Sequence, residues 1–148
     1  MKKLQQEREF AEAERNKARQ REVENSNLLR QEGPKFWDRL QQSLSVAVDS
    51  LPVLKISGSI SHFREGIRIN VVYQHLIPIQ TYTDISYDPG GAAVRCSTMN
   101  GGICQLYLCV ADNDEIVAFS EPDGPPMNPE QASEFILRPM VDYVFINN

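Results

Sequence analysis

His62 and His75 are the only imidazoles in this 148-residue sequence, and so its only candidates for a histidine base or ligand. Each closes an alternating run on the side of the apolar residues. A half-buried, hydrogen-bonded histidine is therefore expected at both, with Thr81 and Thr98 as neighbours of His75. A catalytic histidine would need a carboxylate such as Asp84 beside it, and no spacing dictates that pairing. The three cysteines, Cys96, Cys104 and Cys109, form no CxxC motif and no zinc-like spacing. Three buried thiols in a reducing compartment are the expectation. Asp112, Asp114 and Glu115 resemble a fragment of a calcium loop but lack its glycine and distal glutamate, so a hairpin turn is expected.

Gly90-Gly91 and Gly101-Gly102 fall between strands rather than between a strand and a helix, the wrong context for a phosphate cradle. GxSxG, HExxH and P-loop motifs are absent from the sequence. No catalytic, metal-binding or cofactor-binding residue is assigned, and the chain reads as a non-catalytic module rather than an enzyme. The one ligand arrangement the residues suggest is an apolar cup between a curved sheet and a final helix. Tyr73, His75, Tyr87 and Met140 would line it and accept a small apolar molecule.

The charge distribution narrows the partners. Fifteen Lys and Arg against twenty Asp and Glu give a net charge of −5, unsuited to sequence-independent nucleic-acid binding. Hydrophobic residues at 41% and charged residues at 24% match an ordinary globular chain. No apolar run approaches membrane-spanning length, and Leu4-Gln5-Gln6-Glu7-Arg8-Glu9 does not read as an export leader. A cytoplasmic protein without membrane insertion is the expectation.

The elements that must position these residues follow from periodicity. Residues 1–32 carry eight basic and seven acidic groups with no Gly or Pro, which predicts a solvated charged helix. Leu4, Ala11 and Ala18 recur at seven, but Asn25 follows and no sustained coiled-coil seam develops. Gly33-Pro34 then reads as a helix stop and restart. Phe36, Leu40, Leu44, Ala47 and Leu51 predict a second, amphipathic helix ending before Pro52.

From residue 53 the period becomes two. Strands are predicted over 53–62 and 67–75, then near 79–87, 92–99, 102–111 and 115–120, and short turns make them an antiparallel meander. A first loop at 63–66 sets Ile60 opposite Ile69, Gly58 opposite Val71 and Ile56 opposite Tyr73. Keeping one apolar face requires an odd second loop. Placed at 77–79, it sets Val71 opposite Ile85; a further loop at 88–91 sets Ile85 opposite Val94 and Asp84 opposite Arg95. Gly58, among apolar neighbours, predicts a close approach by a helix. The strand over 103–111 is apolar on both sides, which predicts cover on both. The first helix or a second subunit could supply it.

Asn128 and Pro129 predict the start of a last helix carrying Ala132, Phe135, Ile136, Met140, Tyr143 and Val144, with Pro139 ending or kinking it. The expected architecture is α+β: a charged helical extension over 1–32, then a single domain over 33–148. Within that domain a helix, a six-stranded antiparallel meander and a helix packed on the sheet follow one another. The expected role is a self-associating interaction or assembly module, a homodimer or a partner for another protein. The alternative is the small-molecule cup.

Overall fold

A computed structural model describes residues 2–51, 55–99 and 101–146. Residues 53 and 54, expected to open the first strand, lie outside the described residues. The elements run α1 (Lys2–Asp49), β1 (Ile56–Phe63), β2 (Gly66–Tyr73), β3 (Ile79–Asp88), β4 (Ala93–Thr98), β5 (Ile103–Val110), β6 (Ile116–Phe119) and α2 (Pro129–Ile146). The strands form one antiparallel sheet in chain order, so the architecture is α+β.

The helix does not stop and restart at Gly33-Pro34. α1 is one helix of 48 residues that runs through Pro34. A proline inside a helix removes a hydrogen bond and crowds the carbonyl four residues back, at a cost of about 3 kcal/mol. Packing offsets that cost: Leu29, Gly33, Phe36, Leu40, Leu44, Val48 and Leu51 form one stripe at three- and four-residue steps against the sheet. Gly33 lies so close to the Tyr87 hydroxyl that an added Cβ would overlap it. This glycine serves close approach rather than termination.

The first hairpin has the expected register, with Ile60 opposite Ile69, Gly58 opposite Val71 and Ile56 opposite Tyr73. The next two differ. Tyr73 pairs with Ile79 across a five-residue loop, so Val71 faces Thr81 and Ile85 faces Ile67. Asp88 pairs with Ala93, so Ile85 faces Cys96 and Tyr87 faces Val94. Asp88 sets that turn: its Oδ1 accepts hydrogen bonds from the Gly90 and Gly91 amides at 3.1 and 3.2 Å. Its Oδ2 meets Arg95 at 2.9 Å.

Asp84 therefore pairs not with Arg95 but with Arg68, directly opposite on β2, through two hydrogen bonds of 2.6 and 2.9 Å. The Arg68 guanidinium holds the Asp84 carboxyl below its ordinary range, and also lies 4.1 Å from the centre of the Tyr82 ring. Both register slips are by an even number of residues, so each side chain keeps its expected face.

One face carries the core. Ile67, Ile69, Val71, Ile85, Val94 and Leu106 are buried there beneath Phe36, Leu40, Leu44 and Val48 of α1 and Ala132, Ile136, Met140 and Val144 of α2. The two helices meet through a 2.9 Å hydrogen bond between the Ser43 and Ser133 hydroxyls. α1 crosses β1 where the sequence predicted a close approach: a Cβ on Gly58 would lie 2.8 Å from Leu51 and 2.9 Å from Val48.

α2 begins as expected. Asn128 Oδ1 accepts from the Gln131 amide at 2.8 Å while Gln131 Oε1 accepts from the Asn128 amide at 2.9 Å, a reciprocal cap. Pro139 does not end the helix, which continues to Ile146 under the same packing. The expected second cover over β5 is not supplied by α1, which packs on the core face; Tyr107 and Cys109 on the opposite side are exposed.

Candidate functional site

The core face is not filled evenly. On β2 its positions are Ile67, Ile69 and Val71; on β3 and β4 the matching rows carry Thr81, Thr83, Cys96 and Thr98. Shorter side chains leave a cleft of about 330 Å³ between this end of the sheet and α2, floored by those four residues and Cys104. Ile136, Pro139 and Met140 of α2 roof it, with Phe135 and Ile103 at its mouth, 40% and 83% exposed. Tyr143 also lines it, and among the described residues no Asp, Glu, Lys, Arg or His does.

Thr83 is the anomaly in this floor. Its side chain is 2% exposed, and its hydroxyl has no hydrogen-bond partner among the described residues. An orphaned buried hydroxyl costs about 1–3 kcal/mol, so such groups are uncommon in a well-packed core. Thr98 differs, because its hydroxyl donates to the Gly102 carbonyl at 3.2 Å.

The thiols correct the expectation that all three are buried. Cys96 is buried, Cys104 half-buried and Cys109 exposed on the other side of the sheet. Cys96 and Cys104 are direct cross-strand partners in the cleft floor. Interaction with the Cys96 thiol, against the opposing effect of burial, lowers the Cys104 thiol to about 7. The same interaction, followed by burial, pushes the Cys96 thiol up.

The histidines lie elsewhere. His62 and His75 are both exposed, not half-buried on the core face. His75 falls in the loop after β2, stacked on Tyr73 with ring centres 6.1 Å apart, and Thr81 faces Val71 instead. Of the four residues expected to line a cup, Met140 borders the cleft. Tyr73 stands between His75 and Phe145. Tyr87 stacks on Trp37 at 6.1 Å beside Gly33, where burial, then the Asp88 charge, raises its phenol. The structure does not bring these four side chains together. Sequence reasoning did not bring Thr81, Thr83, Cys96 and Cys104 together. The available signal was four small polar side chains at core-face positions of consecutive strands.

A second feature lies outside the sheet. Every residue of α1 from Lys2 to Glu24 is exposed, including Leu4 and Phe10. At about 1.5 Å per residue this stretch is on the order of 35 Å long. Its charges fall in blocks: Glu7, Glu9, Glu12 and Glu14 with one Arg8, then Arg15, Lys17, Arg19 and Arg21 with no acid among them. Lys17 and Arg21 border a shallow groove shared with Asp112 and Asp114 of the β5–β6 turn.

Among the described residues no group of three His, Cys, Asp or Glu could hold a metal ion, and no helix is long and apolar enough to cross a membrane. The chain matches no protein-family model, and the comparisons with curated proteins and with solved structures find no match either.

Proposed function

We propose that this chain is a non-catalytic assembly module whose projecting helix pairs with that of a second copy. The supporting observation is the exposed stretch from Lys2 to Glu24, an unbroken continuation of a core helix with an acidic block followed by a basic one. A helix that touches no core is marginal in water, because each residue must be ordered without tertiary contacts. Antiparallel pairing of two copies lays residues 7–14 of one against residues 15–21 of the other. Opposite charges then meet along both blocks, and Ala11 and Ala18, seven apart, allow the backbones to approach. Parallel pairing in register would instead set like blocks together. The scaffold for this contact is rigid, because α1 is anchored in the core from Phe36 to Val48.

Sedimentation of the full chain at tens of micromolar tests the proposal. The expected species is a dimer in dilute buffer that dissociates as salt screens the charges. Changing Arg15, Lys17, Arg19 and Arg21 together to Glu should give a monomer. Changing Glu7, Glu9, Glu12 and Glu14 together to Lys should do the same, and mixing the two variants should restore a dimer. A full-length monomer in dilute buffer, or a dimer unaffected by either set, defeats the proposal.

A further inference from the structure

We propose that Cys96 and Cys104 form a redox site at which small hydroperoxides convert the pair of thiols into a cross-strand disulfide. Cys104 is the sulfur that meets the peroxide, and Cys96 the sulfur that completes the bond. The inference stands apart from the assembly reading, since both residues lie in the sheet and neither belongs to the projecting helix.

Register supplies the first argument. Cys96 on β4 and Cys104 on β5 are direct cross-strand partners, and both line the cleft, so their side chains share one face of the sheet. The type of pair follows from its neighbours. In the same register the Leu108 amide donates to the Ala92 carbonyl at 2.8 Å, and the Thr98 amide to the Gly102 carbonyl at 2.9 Å. Ala92–Leu108 and Thr98–Gly102 are therefore hydrogen-bonded pairs, and so is every second pair between them, Cys96–Cys104 included. Such pairs hold their Cα atoms about 5.5 Å apart, inside the window of roughly 4.4–6.8 Å that a disulfide spans. Their Cβ atoms lie toward the upper end of about 4.5–5.5 Å, against about 3.5–4.5 Å in a disulfide, so the strands must draw slightly together. A bond closed under that tension is readily reduced again.

Access supplies the second argument. Cys104 is half-buried in the floor of a cleft whose mouth lies at Phe135 and Ile103, whereas Cys96 is 3% exposed. A molecule as small as hydrogen peroxide enters there and meets Cys104 first. The Cys96 thiol beside it, against the opposing effect of burial, holds the Cys104 thiol below its ordinary value and so favours the attacking thiolate. Cys109 takes no part, being exposed on the opposite face of the sheet.

Two steps suffice, with the hydroperoxide as the only co-reactant. The Cys104 thiolate attacks one peroxide oxygen and the O–O bond breaks. The hydroxide that leaves takes up the proton lost by Cys104, giving a sulfenic acid and water. The Cys96 sulfur then attacks the Cys104 sulfur, the S–O bond breaks, and the departing hydroxide leaves as water with the Cys96 proton. The two sulfurs together lose two electrons, the peroxide gains them, and the products are one disulfide and two waters.

The test treats the full chain, reduced and freed of reductant, with hydrogen peroxide at low micromolar protein concentration. The intact mass should fall by about 2 Da as one disulfide forms. Remaining thiols are then blocked with N-ethylmaleimide in denaturant, the protein is reduced, and the thiols released are marked with iodoacetamide for peptide mass spectrometry. That mark should appear on Cys96 and Cys104 in equal amounts, while Cys109 carries the maleimide. Dithiothreitol added to the oxidised, folded chain should restore both thiols. Cys96→Ser removes the second sulfur, so Cys104 should stop at the sulfenic acid and take up dimedone; in Cys104→Ser, Cys96 should stay a thiol.

Several results would overturn the proposal. One is no loss of mass, and another is oxidation of Cys109 with Cys96 and Cys104 left as thiols. Others are a disulfide that includes Cys109, a linkage that dithiothreitol cannot open in the folded chain, and dimedone on Cys96 in place of Cys104. The mass and labelling of the unaltered chain decide the matter even if a variant fails to fold.

Discussion

The two ends of α1 are chemically alike in backbone and opposite in circumstance. From Phe36 to Val48 the helix places Phe36, Leu40, Leu44 and Val48 in a core that buries each of them to within 3% of completely. From Lys2 to Glu24 not one side chain is covered. The difference is not helix propensity, which favours the charged end: Ala, Glu, Gln, Lys and Arg dominate there, while Gly33 and Pro34 stand at the edge of the buried end. Burial of an amphipathic stripe, rather than the intrinsic preference of its residues, carries the helix through a proline. Intrinsic preference alone must maintain the other end.

The largest expected effect breaks the comparison at its buried end. Leu40 is 0% exposed in the core that α1, α2 and the sheet share, and Leu40→Ala removes side-chain volume from it. A loss of about 2–5 kcal/mol is expected from the lost transfer term plus the cavity. Phe10, 70% exposed at the other end, is larger still, yet Phe10→Ala should leave the denaturant midpoint unchanged in salt that disperses any dimer. Comparable losses at both positions would mean that the projecting end has a tertiary partner within its own chain.

The next effect concerns how closely the buried end is seated. Gly58→Val introduces a Cβ 2.8 Å from Leu51 and 2.9 Å from Val48, and a loss of about 1–3 kcal/mol is expected despite the better strand propensity of valine. Gly33→Ala should cost a similar amount, on the order of 1–3 kcal/mol, because its methyl group meets the Tyr87 hydroxyl. Tyr87→Phe removes that hydroxyl and should return part of the loss in the double variant. A fully additive double variant would show that the two residues do not touch.

Much of this was legible in the sequence, and the failures have local causes. Period-two alternation assigned the faces of the sheet, and the first register was recoverable because Phe63 to Gly66 is a short, well-marked turn. The second was misplaced because Leu76 and Ile77, apolar but 94% and 80% exposed in the loop, continue the look of a strand. Parity survived because only even slips keep Ile85 and Val94 inside. Gly33-Pro34 carried the local signature of a stop. The apolar stripe steps from Leu29 to Gly33 to Phe36 without a break, but Gly33 holds its place in it only by the presence of Tyr87, distant in sequence.

The cleft was legible only as an absence of bulk. Thr81, Thr83 and Cys96 stand where large apolar residues would complete the core, and single-strand patterns do not reveal that three short side chains come together. The histidines misled because a chemically versatile residue draws attention wherever it lies. His62, near the end of β1, and His75, in the loop after β2, are surface residues.

The smallest expected effect sharpens the comparison instead of breaking it. Ala18 lies in the exposed stretch, where a glycine makes no lost contact but frees backbone, at an intrinsic cost of about 1 kcal/mol to helix formation. In a cooperative core that cost would appear in full in the global midpoint. Here residues 2–24 bury no side chain in the core, so their helix–coil equilibrium is separate from unfolding of the sheet. In high salt, Ala18→Gly should therefore lower the helical circular dichroism signal while the denaturation midpoint measured at Trp37, packed against the core, stays where it was. In dilute buffer the same variant should weaken the dimer, since ordering the loosened helix is then charged against association. A shift of the Trp37 midpoint in high salt would show that the projecting end is held by the rest of its own chain, and that the helix is uniform after all.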